Sequence, residues 1–272
     1  MAREPITFAI LGHNEAELLA NAVAQAREAL EPGDALLFLD AASTDGSGEL
    51  AASLGAEVVD VPLGKGRAVA RAIALSETPY VCLLDADIED SDANIPLTLA
   101  RALSDEPADM LVGEYTWPGR RVFHSMRTVY APLVEALFPD SVERVGQMPY
   151  SGFRLLRTDL DFGELPPGFG VETYLNVMSA VRDWRARPVD IGAYHGPVRR
   201  KATLGREVGT VVLEVAERHG RLDPEARPAW DEWLDELATF LEEQPGANVR
   251  VEGYLERLDA LSARPLPPAR AA

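Results

Sequence analysis

Apolar runs alternate with amphipathic stretches over the first ninety or so residues, regularly enough to assign elements. "ITFAIL" (6–11) reads as a buried strand and "EAELLANAVAQAREAL" (15–30), rich in Ala and Leu, as a helix. "DALLFLD" (34–40) is a second strand, and the Ser43-Thr44-Asp45-Gly46 turn after it starts a helix. "AEVVDVP" (56–62) is a third strand, "GKGRAVARAIALS" (64–76) a Gly-opened helix, and "YVCLLDAD" (80–87) a fourth strand. Strands separated by helices of this length pair in parallel through right-handed crossovers. Open sheets of that kind bind ligands beyond the carboxyl ends of their strands. "HNE", "DAAS" and "DADIED" each follow a strand directly, so the rule gathers them on one edge.

Farther on, "ANIPLTLARALSDEP" (93–107) reads as a helix, "DMLVGEY" (109–115) as a strand and "FHSMRTVYAPLVEALFP" (123–139) as a long helix. The pattern then loosens. "GQMPYSGFRLLRTDL" (146–160) is an irregular loop with a short strand, "GELPPGFGVETYLNVMSAVRDW" (163–184) a Pro/Gly loop feeding a helix, and "ARPVDIGAYHG" (186–196) a late strand. Leu204 to Leu261 is helical, with breaks near Pro224, Pro228 and Pro245-Gly246, and the Pro-rich 263–272 is expected to be a disordered tail. Trp230, Trp233, Leu234, Leu237 and Leu241 form a helical apolar stripe, which is core or an oligomer interface and leaves a homodimer open. There is no internal repeat.

Composition narrows the class. Hydrophobic residues at 47% and charged residues at 26% are ordinary for a soluble globular protein. No apolar run is long enough to cross a bilayer, and "MAREPITFAILGHNE" lacks the features of a secretory signal, so no stable membrane insertion is expected. The single cysteine, Cys82, excludes an intrachain disulfide and reads as a buried core thiol, and the cytoplasm is the expected compartment. A net charge of −18 argues against nucleic acid and anionic lipid as partners. Positive charge is concentrated at "GRR" (119–121) and "PVRRK" (197–201), which are either solvated loops or an anion site at an acidic mouth.

"DADIED" raises the sharpest question, because Asp85, Asp87, Glu89 and Asp90 repel one another within six positions. Two carboxylates two residues apart at a strand end can turn toward one hard cation, Mg2+ or Mn2+, which takes oxygen ligands and is often shared with substrate phosphates. Alone, Asp-x-Asp is equally a turn or a helix cap. Its neighbours add weight. Asp40, before small residues and a turn, offers a carboxylate to the N–H of a flat ring or to a ribose. Lys65 between two glycines at a helix start suits an anion, although the spacing is not that of a Walker loop. Asn14 and Glu15 are placed to face a nucleotide.

Together these motifs resemble the family 2 glycosyltransferases and relatives with the GT-A nucleotide-sugar fold. "HNEAE", "DAASTDGS", "GKGRAVARAI" and "DAD" stand in that family's order over about ninety residues. In the second half, "YSGFRLLR", "PGFGVETYLNV" and "VDIGAYHGPVRR" are most similar to the retaining glucosyl- and mannosyl-3-phosphoglycerate synthases and to mannosylglycerate synthases. The resemblance implies an α/β fold with a mostly parallel sheet flanked by helices. The catalytic domain would span 1–203, with a donor half (about 1–115) and an acceptor half (116–203), followed by a helical extension over 204–262. It further implies transfer from a nucleoside-diphosphate sugar to a small anionic acceptor such as 3-phosphoglycerate or glycerate, with Mg2+ or Mn2+ as cofactor.

Asn14, Glu15, Asp40 and Lys65 would then hold the donor, Asp85 the ribose or the metal, and Asp87 with His195 the metal. Ser151, Gly152, Arg154, Glu172 and Arg199 would meet the acceptor, and Asp85, Asp87 and Glu172 form the expected catalytic group. Arg199 or Lys201 would offset charge on the departing diphosphate. Glu172 at a helix start also has a plain dipole reading, and His13, His124 and Glu114 are read as structural or surface residues. The competing reading is a haloacid-dehalogenase-like phosphohydrolase with Asp85 as nucleophile. A nucleotidyltransferase would open with a Gly-rich loop absent here. A non-catalytic binding protein of the same fold and a polyprenyl-phosphate sugar synthase remain further alternatives.

Overall fold

The computed structural model describes residues 3–116, 124–197, 199, 201–243 and 253–270. The alternating elements of the first half are β1 (Ile6–Gly12), α1 (Leu19–Ala29), β2 (Ala35–Asp40), α2 (Ser47–Ser53), β3 (Glu57–Asp60), α3 (Lys65–Leu75) and β4 (Tyr80–Asp85). A short β5 (Asp90–Ser91) precedes α4 (Ile95–Asp105) and β6 (Met110–Thr116). After α5 (Ala131–Leu137) and α6 (Asp140–Val145) come β7 (Arg154–Arg157), α7 (Val171–Val181) and β8 (Ala186–His195), then α8 (Leu204–Arg218), α9 (Arg227–Glu243) and α10 (Tyr254–Ser262).

Among the described residues the strands form one sheet in the order β3-β2-β1-β4-β7-β6-β8-β5. β3, β2, β1 and β4 run parallel, β7 is antiparallel to both β4 and β6, β6 and β8 are parallel, and β5 is antiparallel to β8. β1, β2 and β4 are largely apolar because both faces of the sheet are covered. In β1, Ile6, Phe8 and Ile10 join the cluster under α1 and α4, whereas Ala9 and Leu11 join the cluster shared with α3, α7, α8 and α9. That is the period of two expected of a strand. Cys82 lies in the first of these clusters, fully buried.

Several expectations need correction. The first helix begins at Leu19 rather than Glu15, since Asn14 takes a left-handed φ of 55° and the chain turns before the helix starts. The long helix expected over 123–139 is present over 124–137, but a π-helical turn, Met126–Tyr130, interrupts its α geometry before α5. Pro132 in the first turn of α5 has no N–H to give to the preceding turn, which disfavours a continuous α-helix there; Phe123 lies outside the described residues.

The stripe of α9 is core. Trp230, Trp233, Leu234 and Leu237 are at most 4% exposed and join the cluster that includes β1 and β4 residues, so this face provides no dimer interface. Residues 263–270, expected to be disordered, pack on the helical layer: Trp230 Nε1 donates to the Pro268 carbonyl and Asp223 N–H to that of Ala269. Free backbone carbonyls of Pro268 and Ala269 thus serve as acceptors for α9 and the loop before it. The break at Pro245-Gly246 and the "GRR" at 119–121 lie outside the described residues. Among the described residues no helix is long and apolar enough to cross a membrane.

One contact between the halves positions everything that follows. The N-terminus of α3 rests on the Pro166–Gly168 loop, with Gly66 N–H donating to the Gly168 carbonyl (3.1 Å) and Arg67 N–H to that of Pro167 (3.2 Å). A Cβ on Gly66 would overlap the Pro166 carbonyl oxygen, and one on Gly64 would lie 2.5 Å from that of Pro167. The glycines thus permit backbone contact between the halves, and the N–H groups expected to cradle an anion are spent on protein carbonyls. Gly66→Ala should accordingly cost about 3 kcal/mol or prevent folding, because backbone cannot move aside as a flexible side chain would. Urea denaturation of the purified variant measures the loss.

Candidate functional site

The carboxyl ends of β1, β2 and β4 bring together the residues singled out from the sequence. Lys65, the first residue of α3, places its Nζ 2.7 Å from Asp85 Oδ1 at the end of β4 and 2.6 Å from Glu172 Oε1 in the first turn of α7. Burial alone would lower the Lys65 pKa, but the charges and hydrogen bonds of Asp85 and Glu172 outweigh it and hold the value above that of an ordinary lysine. Burial would likewise raise Asp85, and the Lys65 charge outweighs it and keeps the carboxyl low. The three side chains expected to meet phosphate, ribose and acceptor are therefore paired with one another.

A second pair closes the other side. Arg199, in the loop after β8, makes a two-pronged ion pair with Glu15, whose carboxylate is 6% exposed; its Nη2 lies 2.7 Å from Oε2. Glu15 N–H donates to Ser47 Oγ at the start of α2. Asn14 ties the first loop to the second: its N–H donates to Ser43 Oγ, and its Oδ1 accepts from Thr44 N–H at 2.8 Å. Asp40, 7% exposed, accepts the Ser43 N–H through Oδ1, and Oδ2 faces Gly48, where a Cβ would come within 2.9 Å. The left-handed φ of Asn14 and of Ala42 (60°) is the local strain that lets these loops interlock. His13 Nδ1 is 2.8 Å from the Ala41 carbonyl.

Two charged groups differ from the rest. Asp87 has no ion pair among the described residues; Tyr194 Oη, 3.3 Å away, is its hydrogen-bond donor. Burial first, then the charges of Asp85 and Glu15, push its carboxyl up to about 6. Lys201 also lacks an ion pair among the described residues and lies 3.9 Å from the centre of the Phe169 ring. The residue as a whole is exposed, but its ammonium is sheltered, and desolvation followed by the Lys65 charge lowers its pKa. Around the mouth, the described cations Lys65, Arg199 and Lys201 face four carboxylates, Glu15, Asp85, Asp87 and Glu172.

Other expected residues are placed differently. Ser151 is fully buried, Gly152 packs against the Asp85 carboxylate so closely that a Cβ would overlap it, and Arg154 is 1% exposed beneath them. Arg154 as a direct acceptor contact is thus corrected: burial leaves its guanidinium no surface to offer. His195 ends β8 opposite Asp90, and its carbonyl accepts the Glu89 N–H. Among the described residues no group of three or more His, Cys, Asp or Glu side chains is arranged to hold a metal ion. Glu114 accepts from Gln147 N–H, and His124 packs edge-on to Tyr254.

The sequence reading missed the aromatic cluster beside Asp87. Tyr194 lies 5.1 Å, ring centre to ring centre, from both Tyr115 and Phe153. Aromatic residues in strands are usually core, so only the alternation that sets Tyr194 beside the acidic edge signals it.

Comparison with known proteins gives a consistent answer. A family model described as glycosyl transferase family 2 matches residues 7–161. The chain is similar to glycosyltransferase AglJ of Haloferax volcanii, 32% identical over 219 residues covering 76% of this chain and 69% of that protein. Among solved structures, mannosyl-3-phosphoglycerate synthase from Rubrobacter xylanophilus superposes with a TM-score of 0.71 at 22% identity, covering 81% of this chain and 76% of that one. Glucosyl-3-phosphoglycerate synthase from Mycobacterium tuberculosis, in complex with Mn2+, UDP-glucose and phosphoglyceric acid, gives 0.66 at 23% identity, covering 81% of both chains. The two superpositions establish the GT-A fold.

The charge arrangement makes two stability predictions. Lys65→Met leaves Asp85 and Glu172 partly buried and facing each other without a cation, which should cost about 3 kcal/mol at pH 7. Adding Glu172→Gln should recover part of that loss, and a double-mutant cycle by urea denaturation measures the coupling. Asp87 has the opposite sign. A carboxyl raised in the fold contributes stability that is complete below its unfolded value, near 4, and is lost as pH rises through about 6. Asp87→Asn should therefore stabilise the protein by about 2 kcal/mol at pH 7.5, the advantage closing as pH falls toward 4, in thermal melts across that range.

Proposed function

The chain belongs to glycosyl transferase family 2 and is a glycosyltransferase, and from that footing we propose that it transfers a sugar from a nucleoside-diphosphate donor to a small anionic acceptor, with a divalent cation and with retention. One observation carries this reading: Asp87 and Lys201, a carboxylate and an ammonium without ion partners among the described residues, occur in the same mouth. A cation and a diphosphate compensate both at once.

The residues present fit a cation in a particular way. Burial first, and then the like charges of Asp85 and Glu15, hold Asp87 near 6, and a divalent ion relieves that field. Among the described residues no closed protein shell is gathered around it, which suits Mg2+ or Mn2+ bound through one or two side chains, waters and substrate oxygens. Asp87 and His195 would hold the ion, which when bound supplies electrostatic stabilisation of the departing diphosphate. Asp40 and Asn14, in the interlocked loops, would hold the nucleoside. Lys201, with Arg199 beside it, would face the phosphates. Lys65 acts by keeping Asp85 and Glu172 in place, and the Ser151-Gly152 turn borders the acceptor.

The acceptor class is supported by the similarity of the second-half motifs to the phosphoglycerate synthases and by the ligands of the Mycobacterium tuberculosis neighbour. Family membership sets aside the phosphohydrolase alternative with Asp85 as nucleophile.

Incubating the protein with UDP-, GDP- and ADP-sugars, Mn2+ or Mg2+, and 3-phosphoglycerate, glycerate or a polyprenyl phosphate tests the proposal. Nucleoside diphosphate should be released in a metal-dependent reaction that 3-phosphoglycerate or glycerate accelerates, and Asp87→Ala should slow it at least about 100-fold. Acceleration by polyprenyl phosphate alone would overturn the acceptor reading, and release undiminished by chelation would overturn the role of the cation.

A further inference from the structure

Arg154 is a charged side chain with a place in the fold that charge alone does not require. It opens β7 at 1% exposure, and among the described residues it has no carboxylate partner. Burial lowers its pKa. The charges of Glu172 and Asp85 offset part of that cost, but no carboxylate among the described residues pairs with the guanidinium directly, and an apolar side chain of similar volume would ordinarily be better tolerated. What an apolar residue cannot supply is a rigid fork of donors.

Each arm of that fork has an acceptor. Nε donates to the Ser151 carbonyl at 2.9 Å, Nη2 to the Pro149 carbonyl at 2.9 Å, and Nη1 to Asn176 Oδ1 at 2.8 Å, with Met110 Sδ at 3.5 Å. Asn176, fully buried on α7, returns to the same turn: its Nδ2 donates to the Pro149 carbonyl at 2.9 Å and to Tyr130 Oη at 3.1 Å. Two side chains from different elements thus converge on one carbonyl of a turn that has only one internal backbone bond of its own among the described contacts, Ser151 N–H to the Met148 carbonyl. The next residue, Gly152, is the one whose backbone lies against the Asp85 carboxylate. The placement of that backbone relative to the end of β4 has no slack.

We propose that Arg154 is a positioning residue for the transfer: from inside the protein it holds the Pro149–Gly152 turn against the end of β4, and so fixes the floor on which the acceptor is presented. The inference rests on the proposed function in one respect, that this turn borders the acceptor. The hydrogen-bond geometry itself does not depend on it.

The experiment compares wild type with Arg154→Lys and Arg154→Met by hydrogen–deuterium exchange and by steady-state release of UDP from UDP-glucose with Mn2+ and 3-phosphoglycerate. Arg154→Lys keeps a buried cation but loses the fork. It should raise exchange across residues 149–153 about tenfold or more while α7 and β4 stay at wild-type protection. It should lower kcat about 100-fold with donor KM within about threefold, because a misplaced turn harms the geometry of reaction rather than donor binding. Arg154→Met should do the same or more, and if it fails to fold the lysine variant carries the test. Unchanged exchange in the turn would overturn the proposal. So would exchange rising evenly through the core with kcat and KM changed together, the signature of a merely structural arginine. Exchange requires no turnover, so a wild-type protein inactive with these substrates counts against the proposed reaction while the exchange result still decides for or against Arg154.

Discussion

The Lys65 ammonium sits between two carboxylates that arrive from distant parts of the chain, Asp85 at the end of β4 and Glu172 on α7. That contact joins α3, β4 and α7 at the edge where the site lies. Lys65 can be there because α3 begins between two glycines that let its backbone touch the Pro166–Gly168 loop. Glu172 can be there because α7 starts a few residues beyond the same loop. Removing the cation would leave two acids in a sheltered place. Coulomb repulsion and desolvation would then act together, and the loop and helix would have to separate.

That triad keeps one net negative charge and Glu15 is matched by Arg199, so Asp87 and Lys201 are the charged groups at the mouth without an ion pair among the described residues. A protein gains nothing in stability from holding a carboxylate near 6 among other acids. Such a group is a local cost that function explains better than folding does. The strain at Asn14 and Ala42 belongs with it, since both lie in the loops that lead from β1 and β2 toward the same edge.

The amino-acid order made much of this legible. Buried parallel strands announce themselves as apolar runs, and "HNE", "DAAS" and "DADIED" follow β1, β2 and β4 so directly that their common edge follows from topology alone. The partnerships were not legible. "GKG" reads identically whether its N–H groups face an anion or the carbonyl of Pro167, because the partner lies about a hundred residues away. The resemblance makes Arg154 an acceptor contact, and only the fold shows it buried with its donors turned to the Ser151 and Pro149 carbonyls and Asn176. Tyr194 is signalled only by the strand alternation that sets it beside the acidic edge, since an aromatic residue in a strand otherwise looks like core. The tail misled for a related reason: proline-rich composition predicts the absence of regular structure, and Pro268 and Ala269 lack it while still packing on α9 and the loop before it.

The central claim is that Asp87 and Lys201 form one composite site, where a divalent ion and a diphosphate bind together because each offsets charge the other leaves. Calorimetric titration of Mn2+ in the absence and presence of saturating UDP measures that coupling directly. The account predicts that UDP tightens Mn2+ binding at least about tenfold, and by linkage that Mn2+ tightens UDP to the same degree. The coupling should vanish in Asp87→Asn. Equal Mn2+ affinity with and without UDP in the wild-type protein would contradict it.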